Sequence, residues 1–480
     1  MIRKATDFLT KLEFDRQVQM ENQIETGKKA LVLGGGGSRG SYEVGVWQAL
    51  HEHGYRPDIV TGTSVGALNG AMIAQDKLDE TVRMWRMLTT DMVMDINIKS
   101  DLKTMADQLE AMSVFAREAI KNRGADTTPL RRLLEHFIDE EAVRASDVAF
   151  GLVAVALPNL KPCAVFTDEI EEGKLIQYLL ASAAFFPAMQ GQIIHDTVYI
   201  DGGYYDNVPI ELAVRRGARD IIAIDLHAPG MRRKVREAGV EVRTIEPEWD
   251  LGNLLVFDTK TAEHNIAVGY LDGLKFLGLM DGVLYAFSDP ALWEHIDLVV
   301  ARMLALSGDL APHIVLPGGL DVSDRSISHL RGFLLRHIGG FYRHKRLPKQ
   351  RIGVTVLEMA GKLFRLDPTR VYTAREFERE LRTAAQQYVA DTALDELDVL
   401  LRSDRPLKEK TERALELSRG MDARGVCLWL LRGMQTAAQD AAPVWLLAAG
   451  LIFPTEFLTA MYFIVLSELD TLRLEESKRI

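Results

Sequence analysis

Cysteine is scarce in this sequence of 480 residues, which contains only Cys163 and Cys427. Two cysteines cannot build a disulfide scaffold or a cysteine-rich zinc module, and their scarcity fits a reducing compartment. Lys and Arg are also outnumbered, 57 against 68 Asp and Glu, which gives a net charge of −11. A general nucleic-acid-binding protein needs a basic face. We therefore expect a cytoplasmic protein with no nucleic-acid partner.

Long apolar runs are rare. Residues 1–29 contain charges throughout and lack the apolar run of a signal peptide. Residues 443–466 hold a single charge, Glu456, and are long enough to span a bilayer. Because Pro454 interrupts this run, two buried helices joined near Pro454 are the preferred interpretation, and a membrane-associated helix is the alternative.

Short apolar runs alternate with helical patterns between residues 29 and 226. An apolar fraction of 47% and a charged fraction of 26% are those of a folded globular protein. The alternation predicts an α/β fold with a mostly parallel sheet and helices on both faces. The predicted strands are residues 30–33, 59–61, 151–157, 163–166, 198–200 and 221–226. The predicted helices between them include residues 42–53, 78–88 and 128–137.

The pattern becomes mostly helical after about Asp250. The predicted helices are residues 251–277, 291–306, 372–402 and 407–420, with one short strand at residues 313–316. The chain length suggests two or three domains. The expected organisation is an N-terminal arm (residues 1–28), a catalytic α/β domain (29–316), a basic connecting segment (317–371) and a helical C-terminal domain (372–480).

One segment of the second half is strongly basic. From Arg325 to Arg351 there are eight Lys or Arg residues, and no acidic residue. Phe, Leu, Ile and Tyr side chains are interleaved with these charges. Such a mixture suits peripheral contact with an anionic membrane. A solvated helix whose cations pair with acidic residues of the helical domain explains it equally well.

The pentapeptide from Gly62 to Gly66, with Ser64 at its centre, has the pattern G-x-S-x-G. It follows a predicted strand and precedes a helical run, which is the setting of a nucleophilic serine. The turn is sharp, so the positions that flank the serine need little or no side chain. The serine hydroxyl then lies at the start of a helix, where the dipole and free N–H groups stabilise negative charge. The alternative is a tight structural turn.

A glycine-rich loop from Gly34 to Gly40 follows the first strand. One interpretation is a dinucleotide site, because Gly35, Gly37 and Gly40 fit the spacing G-x-G-x-x-G. Asp58 would then be the acidic residue of that pattern. The other is an oxyanion hole, in which unobstructed N–H groups stabilise a tetrahedral intermediate. The serine motif favours the oxyanion hole, since a dinucleotide site needs no exposed serine on the next strand.

A nucleophilic serine also needs a base. Asp201 ends the strand predicted at residues 198–200 and is followed by Gly202 and Gly203. An aspartate at the end of a strand, followed by two glycines, is well placed to face a cleft. The alternative is an ordinary Asp-Gly turn.

Together these motifs resemble those of the patatin-like phospholipases. The family's oxyanion segment G-G-G-x-R/K-G matches the stretch from Gly35 to Gly40, its G-x-S-x-G elbow is centred on Ser64, and its D-G-G/A motif begins at Asp201. The resemblance covers residues 29–226, under half of the chain. Two further segments look similar to the family's, residues 181–187 and 207–209.

The resemblance implies a three-layer α/β/α catalytic domain and a Ser–Asp dyad. Ser64 would attack the ester carbonyl of a phospholipid or lysophospholipid, and Asp201 would accept its proton. Since a solvated Asp has a pKa of about 4, an apolar cleft would have to raise it. The N–H groups expected to form the oxyanion hole are those of Gly35, Gly36, Gly37 and Val65. The supporting motif positions are Arg39, Gly40, Gly62, Gly66, Gly202 and Gly203.

Two of these assignments have alternatives. A classical triad would use His227, which follows the last predicted strand, although a lone histidine there is more often a loop residue. Arg39 could bind a phosphate head group, but pinning the glycine loop is the preferred role.

A lipid acyl hydrolase is therefore the leading hypothesis. The second is a catalytically silent scaffold of the same fold that binds a partner through its C-terminal helices, and the third is a nucleotide-binding oxidoreductase. His, Cys, Asp and Glu show no metal-ligand spacing. Hydrolysis is expected to need no metal or cofactor and to survive a chelator.

Overall fold

The computed structural model describes residues 27–95, 124–289, 292–309, 324–342, 352–388, 407–418, 420–437 and 445–477, with the single positions 399 and 403. The chain divides into two compact units, Met1–Leu277 and Gly278–Ile480. Apart from Gly27 and Lys28, the expected N-terminal arm lies outside the described residues. So do the boundary expected after residue 316 and the strand expected at residues 313–316.

An eight-stranded sheet organises the first unit. The strands are β1 (Lys28–Leu33), β2 (Ile59–Thr63), β3 (Ala149–Ala156), β4 (Lys161–Phe166), β5 (Gln192–Ile194), β6 (Thr197–Asp201), β7 (Ala218–Ile224) and β8 (Glu241–Ile245). β3, β2, β1, β7 and β8 pair in parallel, whereas β4 and β6 are antiparallel to β3, and β5 to β6. The predicted mostly parallel sheet is thus confirmed. β5 and β8 were not predicted, because one is very short and the other is polar and largely exposed.

The helices of the first unit alternate with its strands along the chain. They are α1 (Gly40–Glu52), α2 (Val65–Ala74), α3 (Leu78–Met87), α4 (Thr90–Val93), α5 (Thr128–Phe137), α6 (Glu140–Ala145), α7 (Leu175–Ser182), α8 (Ile210–Arg215) and α9 (Thr259–Phe276). The helix predicted at residues 251–277 begins only at Thr259, where Asp258 accepts a hydrogen bond from the Thr261 N–H and caps it. That part of the prediction is wrong.

Different helices cover the two faces of the sheet. Successive side chains of a strand point to opposite faces. In β1, Leu31 and Leu33 belong to the core that contains residues of α1, α2 and α9. Ala30 and Val32 belong to the core on the other face, which contains residues of α8. The first unit therefore has the three α/β/α layers that were expected.

The register of β3 brings two loops together. β4 pairs with residues 151–156 of β3 along one edge. β2 pairs with residues 149–153 and β6 with residues 154–156, so these two strands must share the other edge and meet end to end. Thr63 lies opposite Val153, and Asp201 lies opposite the next residue, Ala154. Ser64, directly after Thr63, therefore meets Asp201.

The second unit is mostly helical, as predicted. Its helices are α10 (Leu292–Asp309), α11 (Asp324–Gly339), α12 (Ile352–Leu363), α13 (Ala374–Gln387), α14 (Leu407–Ser418), α15 (Ala423–Ala437), α16 (Trp445–Ile452) and α17 (Pro454–Ser477), and its strands are β9 (Ala286–Phe287) and β10 (Val371–Tyr372). α16 and α17 meet beside Pro454, as the preferred interpretation of residues 443–466 predicted. In the described part of the chain, no helix has both the length and the apolar character needed to cross a membrane.

The basic segment is described only in part. Its first half lies in α11, where Leu334 and Ile338 are buried, as is Tyr342 beyond the helix. These side chains are packed in the core of the unit, so they are not available for insertion into lipid. The cations from Arg343 to Arg351 lie outside the described residues. Membrane contact through this segment stays a prediction.

Candidate active site

Ser64 occupies a strained turn between β2 and α2. Its backbone has φ 54° and ψ −126°, a conformation that costs energy for a residue with a side chain. A Cβ on Gly62 would lie 2.2 Å from the carbonyl oxygen of Gly66, so only glycine permits this close return of the chain. The Ser64 N–H donates to Ser182 Oγ at 3.0 Å, and Ser182 Oγ donates to the Val153 carbonyl at 2.7 Å. The turn is thus held from the neighbouring strand and helix.

The glycine loop lies beside Ser64. Gly37 has φ 55°, in the region that favours glycine. The Gly35 N–H donates to the Asn207 carbonyl at 2.9 Å, so it is already committed. In the described part of the chain, the N–H groups of Gly36, Gly37 and Val65 donate to no other group. The oxyanion hole stays a prediction, and of the four N–H groups expected to form it only that of Gly35 has another acceptor among the described residues.

Asp201 is 3% exposed and ends β6. Burial raises its pKa to about 6, while hydrogen bonds from the Gly203 N–H and the Ser64 side chain lower the pKa in part. The Gly203 N–H lies 2.7 Å from Oδ1 and fixes the carboxylate. Gly202 and Gly203 form the turn that directly follows. The site thus contains a buried carboxylate whose pKa lies above the ordinary range of an aspartate.

Asn207 connects three loops of the site. Its Nδ2 donates to the Gly35 carbonyl at 3.2 Å, and its backbone N–H donates to the Met231 carbonyl at 2.6 Å. The Met231 N–H donates to the Gly203 carbonyl at 2.8 Å. Sequence reasoning gave no role to Asn207 or to Ser182. The family-like segments at residues 207–209 and 181–187 were the signals that pointed to them.

Arg39 lies in the turn before Gly40, the first residue of α1. Its Nε donates to the Gly252 carbonyl at 3.0 Å and its Nη1 to the Leu226 carbonyl at 3.4 Å. These contacts join the glycine loop to the chain segments after β7 and after β8. They support the pinning role preferred for Arg39 over phosphate binding.

An apolar cavity of about 510 Å³ opens beside Ser64 and Asp201. Val65, Leu68 and Met72 line it from one face of α2, and α5 contributes a second apolar face. At 1.5 Å per residue, the part of α2 between Ser64 and Met72 extends the cavity roughly 12 Å away from the serine. The α5 residues in the lining are Leu130, Leu133, Leu134 and Phe137.

A polar network supports one wall of the cavity. Trp85 Nε1 donates to Asn69 Oδ1 at 3.0 Å, and both residues line the cavity. Asn69 Nδ2 donates to Glu43 Oε2 at 2.8 Å. Burial raises the pKa of Glu43 well above its ordinary value, and the hydrogen bond from Asn69 opposes part of that rise. Glu43 is not itself among the described lining residues, and it supports Asn69 from behind the cavity wall.

His227 lies apart from the two candidate catalytic groups. It is not among the described residues that line the cavity. Its ring lies 3.4 Å from Arg232 Nη2 and 4.0 Å from Glu246 Oε2. Asp225, His227 and Glu246 bring their ligand atoms within 4.8 Å of one another. Arg232 already pairs with Asp225 at 2.7 Å, so a metal ion there would have to displace a cation.

Asp58 is poorly placed for the oxidoreductase hypothesis. It directly precedes β2, and its carboxylate accepts the Lys29 N–H at 2.7 Å at the start of β1. In a dinucleotide site the acidic residue follows the second strand, at the carboxyl edge of the sheet. Asp58 lies at the amino edge, opposite the glycine loop, and cannot take that role.

Comparison with known proteins finds similarity within the first unit. Residues 31–214 match the family model described as patatin-like phospholipase. The chain is 30% identical over 209 residues to patatin-like phospholipase domain-containing protein 7 of Rattus norvegicus, covering 41% of this chain and 13% of the rat protein. It is 26% identical over 196 residues to lysophospholipase NTE1 of Candida albicans, with the same coverages. The chain thus spans about an eighth of the length of these curated relatives.

The solved structure of VipD from Legionella pneumophila aligns with 91% of this chain and 90% of its own. The identity is 12% and the TM-score is 0.25. This score is too low for comparing the two chains element by element.

Proposed function

We propose that this chain, whose residues 31–214 form a patatin-like phospholipase domain, is a serine acyl hydrolase that cleaves ester bonds of phospholipids or lysophospholipids. The observation that carries the proposal is the meeting of Ser64, in its strained turn, with the buried Asp201 at one end of an apolar cavity. A silent scaffold has no need of this combination, because strain and a buried carboxylate both cost stability.

In the proposed reaction, Ser64 Oγ attacks the ester carbonyl carbon as its proton passes to Asp201. A raised pKa of about 6 makes Asp201 a better base than a solvated carboxylate, yet leaves it mostly ionised at pH 7. The negative charge on the carbonyl oxygen is stabilised by the N–H groups of Gly36, Gly37 and Val65. The proton then goes to the leaving alcohol. Asp201 next takes a proton from the water that attacks the acyl-enzyme, and it returns this proton to Ser64 Oγ as the fatty acid leaves.

The cavity suits the acyl chain of a lipid. Its lining along α2 and α5 is almost wholly aliphatic or aromatic, and each buried methylene group contributes about 0.8 kcal/mol of binding. A chain bound there would also exclude water from Asp201 and favour transfer of the proton. The head group would remain at the open end, beside Ser64.

A fluorophosphonate probe tests the nucleophile, because it reacts with an activated serine. The wild-type chain is expected to be labelled and to release fatty acid from lysophospholipid, and Ser64→Ala to lose both by at least about 10⁴-fold. Ser146→Ala is the matched control, because Ser146 is not among the described residues that line the cavity. Labelling of a folded Ser64→Ala variant would mean that another serine is the nucleophile, and no labelling of the wild type would favour the silent scaffold.

A further inference from the structure

The mouth of the cavity is surrounded by exposed apolar side chains, which we call the mouth rim. Each of them lines the cavity and is also exposed to solvent, up to 62% for Met231. They come from four separate segments of the chain, so the fold gathers them around one opening. Exposed apolar side chains that cluster in this way mark an interaction site. The mouth rim consists of Leu160, Phe185, Tyr204 and Met231.

The mouth rim is fixed by hydrogen bonds and stacking. The Tyr204 hydroxyl donates to the Phe186 carbonyl, and the Tyr204 ring stacks on Phe185 with centroids 6.5 Å apart. Met231 is held through both its N–H and its carbonyl by Gly203 and Asn207. The exposure of the Met231 side chain therefore follows from the hydrogen-bonded backbone of the loop that supports the candidate active site.

A basic loop continues directly from the rim. After Met231 the chain reads Arg-Arg-Lys-Val-Arg, residues 232–236, and its four cations are exposed. Arg232 pairs with Asp225 and Arg233 pairs with Glu211. Lys234 and Arg236 form no ion pair with any described residue. The loop thus carries positive charge to the edge of the mouth, in a chain of net charge −11.

We propose that the mouth rim and the basic loop together bind the surface of an anionic lipid bilayer. The rim side chains enter the head-group region, as apolar and aromatic groups do at membrane interfaces, and Lys234 and Arg236 contact the anionic head groups. The proposal rests on the proposed function, since this orientation lets an acyl chain pass from the bilayer into the cavity. The continuity of the rim with the cavity favours lipid over a protein partner.

Sedimentation with vesicles tests the cations in a Ser64→Ala background, where no hydrolysis occurs. One basic residue near an anionic surface contributes about 1 kcal/mol, or about fivefold in affinity. Lys234→Gln/Arg236→Gln is therefore expected to weaken binding to phosphatidylcholine/phosphatidylglycerol vesicles on the order of 20-fold at low salt, and less at high salt. Lys28→Gln/Arg56→Gln is the control, because these exposed cations lie at the amino edge of the sheet.

The apolar rim has its own test. Leu160→Ser/Met231→Ser is expected to weaken binding about tenfold on both neutral and anionic vesicles, with little dependence on salt. Val242→Ser, near the start of the edge strand β8, is the matched control. Equal binding of either double variant and its control, or no binding of the parent chain to any vesicle, would overturn the proposal.

A separate readout distinguishes this proposal from the proposed function. With Ser64 restored, Lys234→Gln/Arg236→Gln is expected to keep an unchanged kcat/KM on a water-soluble short-chain ester. Intact vesicle binding without fluorophosphonate labelling would refute the hydrolase while leaving the lipid-binding surface in place. Normal fluorophosphonate labelling with no vesicle binding would refute the lipid-binding surface and leave the hydrolase in place.

Discussion

The two units of the chain can be compared through one buried carboxylate of each, Asp201 in the first and Glu358 in the second. In the second unit, Glu358 is fully buried on α12. Its Oε1 accepts three consecutive backbone N–H groups at 2.7, 3.0 and 3.1 Å, and its Oε2 accepts a tyrosine hydroxyl. These donors belong to Val283, Leu284, Tyr285 and Tyr342.

Asp201 in the first unit has less support. It accepts the Gly203 N–H and a hydrogen bond from Ser64, and burial outweighs both, so its pKa rises to about 6. A carboxylate with many donors holds a loop and a helix together. A carboxylate with few donors remains ready to take a proton. The difference therefore separates a carboxylate that serves folding from one available for chemistry.

The largest expected effect is on activity. Asp201→Asn removes the proposed base while keeping an oxygen that can accept the Gly203 N–H, so kcat is expected to fall roughly 10³- to 10⁴-fold. Glu358→Gln makes a similar change in the second unit and is expected to leave kcat of the folded protein unchanged. Release of fatty acid from lysophospholipid, measured per folded molecule, checks both. A loss of kcat in a stably folded Glu358→Gln protein would break the comparison.

Removing the two carboxylates is expected to change the free energy of unfolding in opposite directions. Glu358→Ala leaves three N–H groups and one hydroxyl without their acceptor, so the free energy of unfolding is expected to fall on the order of 5 kcal/mol. Asp201→Asn is expected to raise the free energy of unfolding at pH 8. The difference between a pKa of about 6 and the ordinary 3.8 corresponds to an upper bound of roughly 3 kcal/mol.

The sign of the second change follows from proton binding. Folded Asp201 holds its proton more tightly than unfolded Asp201, so the wild type loses stability as the pH rises from about 4 through 6. The advantage of Asp201→Asn should therefore be present at pH 8 and vanish near pH 4. Urea unfolding at several pH values measures it. An Asn variant that is less stable than the wild type at pH 8 would contradict this account of the site.

The pH dependence of the rate gives a smaller effect. Asp201 must be ionised to act as a base. We therefore expect kcat/KM for a soluble ester to be half of its maximum near pH 6 and about a tenth of its maximum at pH 5. Burial also raises the pKa of the nearby Asp206, to about 7. Asp206→Asn is therefore the control, and it should leave the half-maximal pH in place. A half-maximal pH near 4 in the wild type would mean that Asp201 is solvated.

The motifs and most of the sheet could be predicted from local sequence. Apolar runs predicted β1, β2 and β7. The glycine spacing predicted the glycine loop after β1 and the turn that holds Ser64. The end-to-end meeting of β2 and β6 could not be predicted, because it depends on which residues of β3 each strand pairs with. That register is a tertiary property, and it is what brings Ser64 to Asp201.

The wrong start of α9 has a related cause. Residues 251–258 extend the apolar character of the helix that follows, but Gly252, Asn253 and Leu254 turn their carbonyls to the glycine loop. These carbonyls accept hydrogen bonds from Arg39 Nε, Ser38 Oγ and the Ser38 N–H. Helical propensity is a weak preference that such contacts override.

The smallest expected effect concerns His227, the histidine of the alternative triad. It has φ 50°, so His227→Asn is the suitable variant, because Asn tolerates this conformation and cannot act as a base. The ring lies among Asp225, Arg232 and Glu246, outside the described lining of the cavity. Its removal is therefore expected to change kcat/KM by less than about twofold, within the range of ordinary surface substitutions. A folded His227→Asn protein as inactive as Ser64→Ala would instead make His227 the base, and the raised pKa of Asp201 would lose its role.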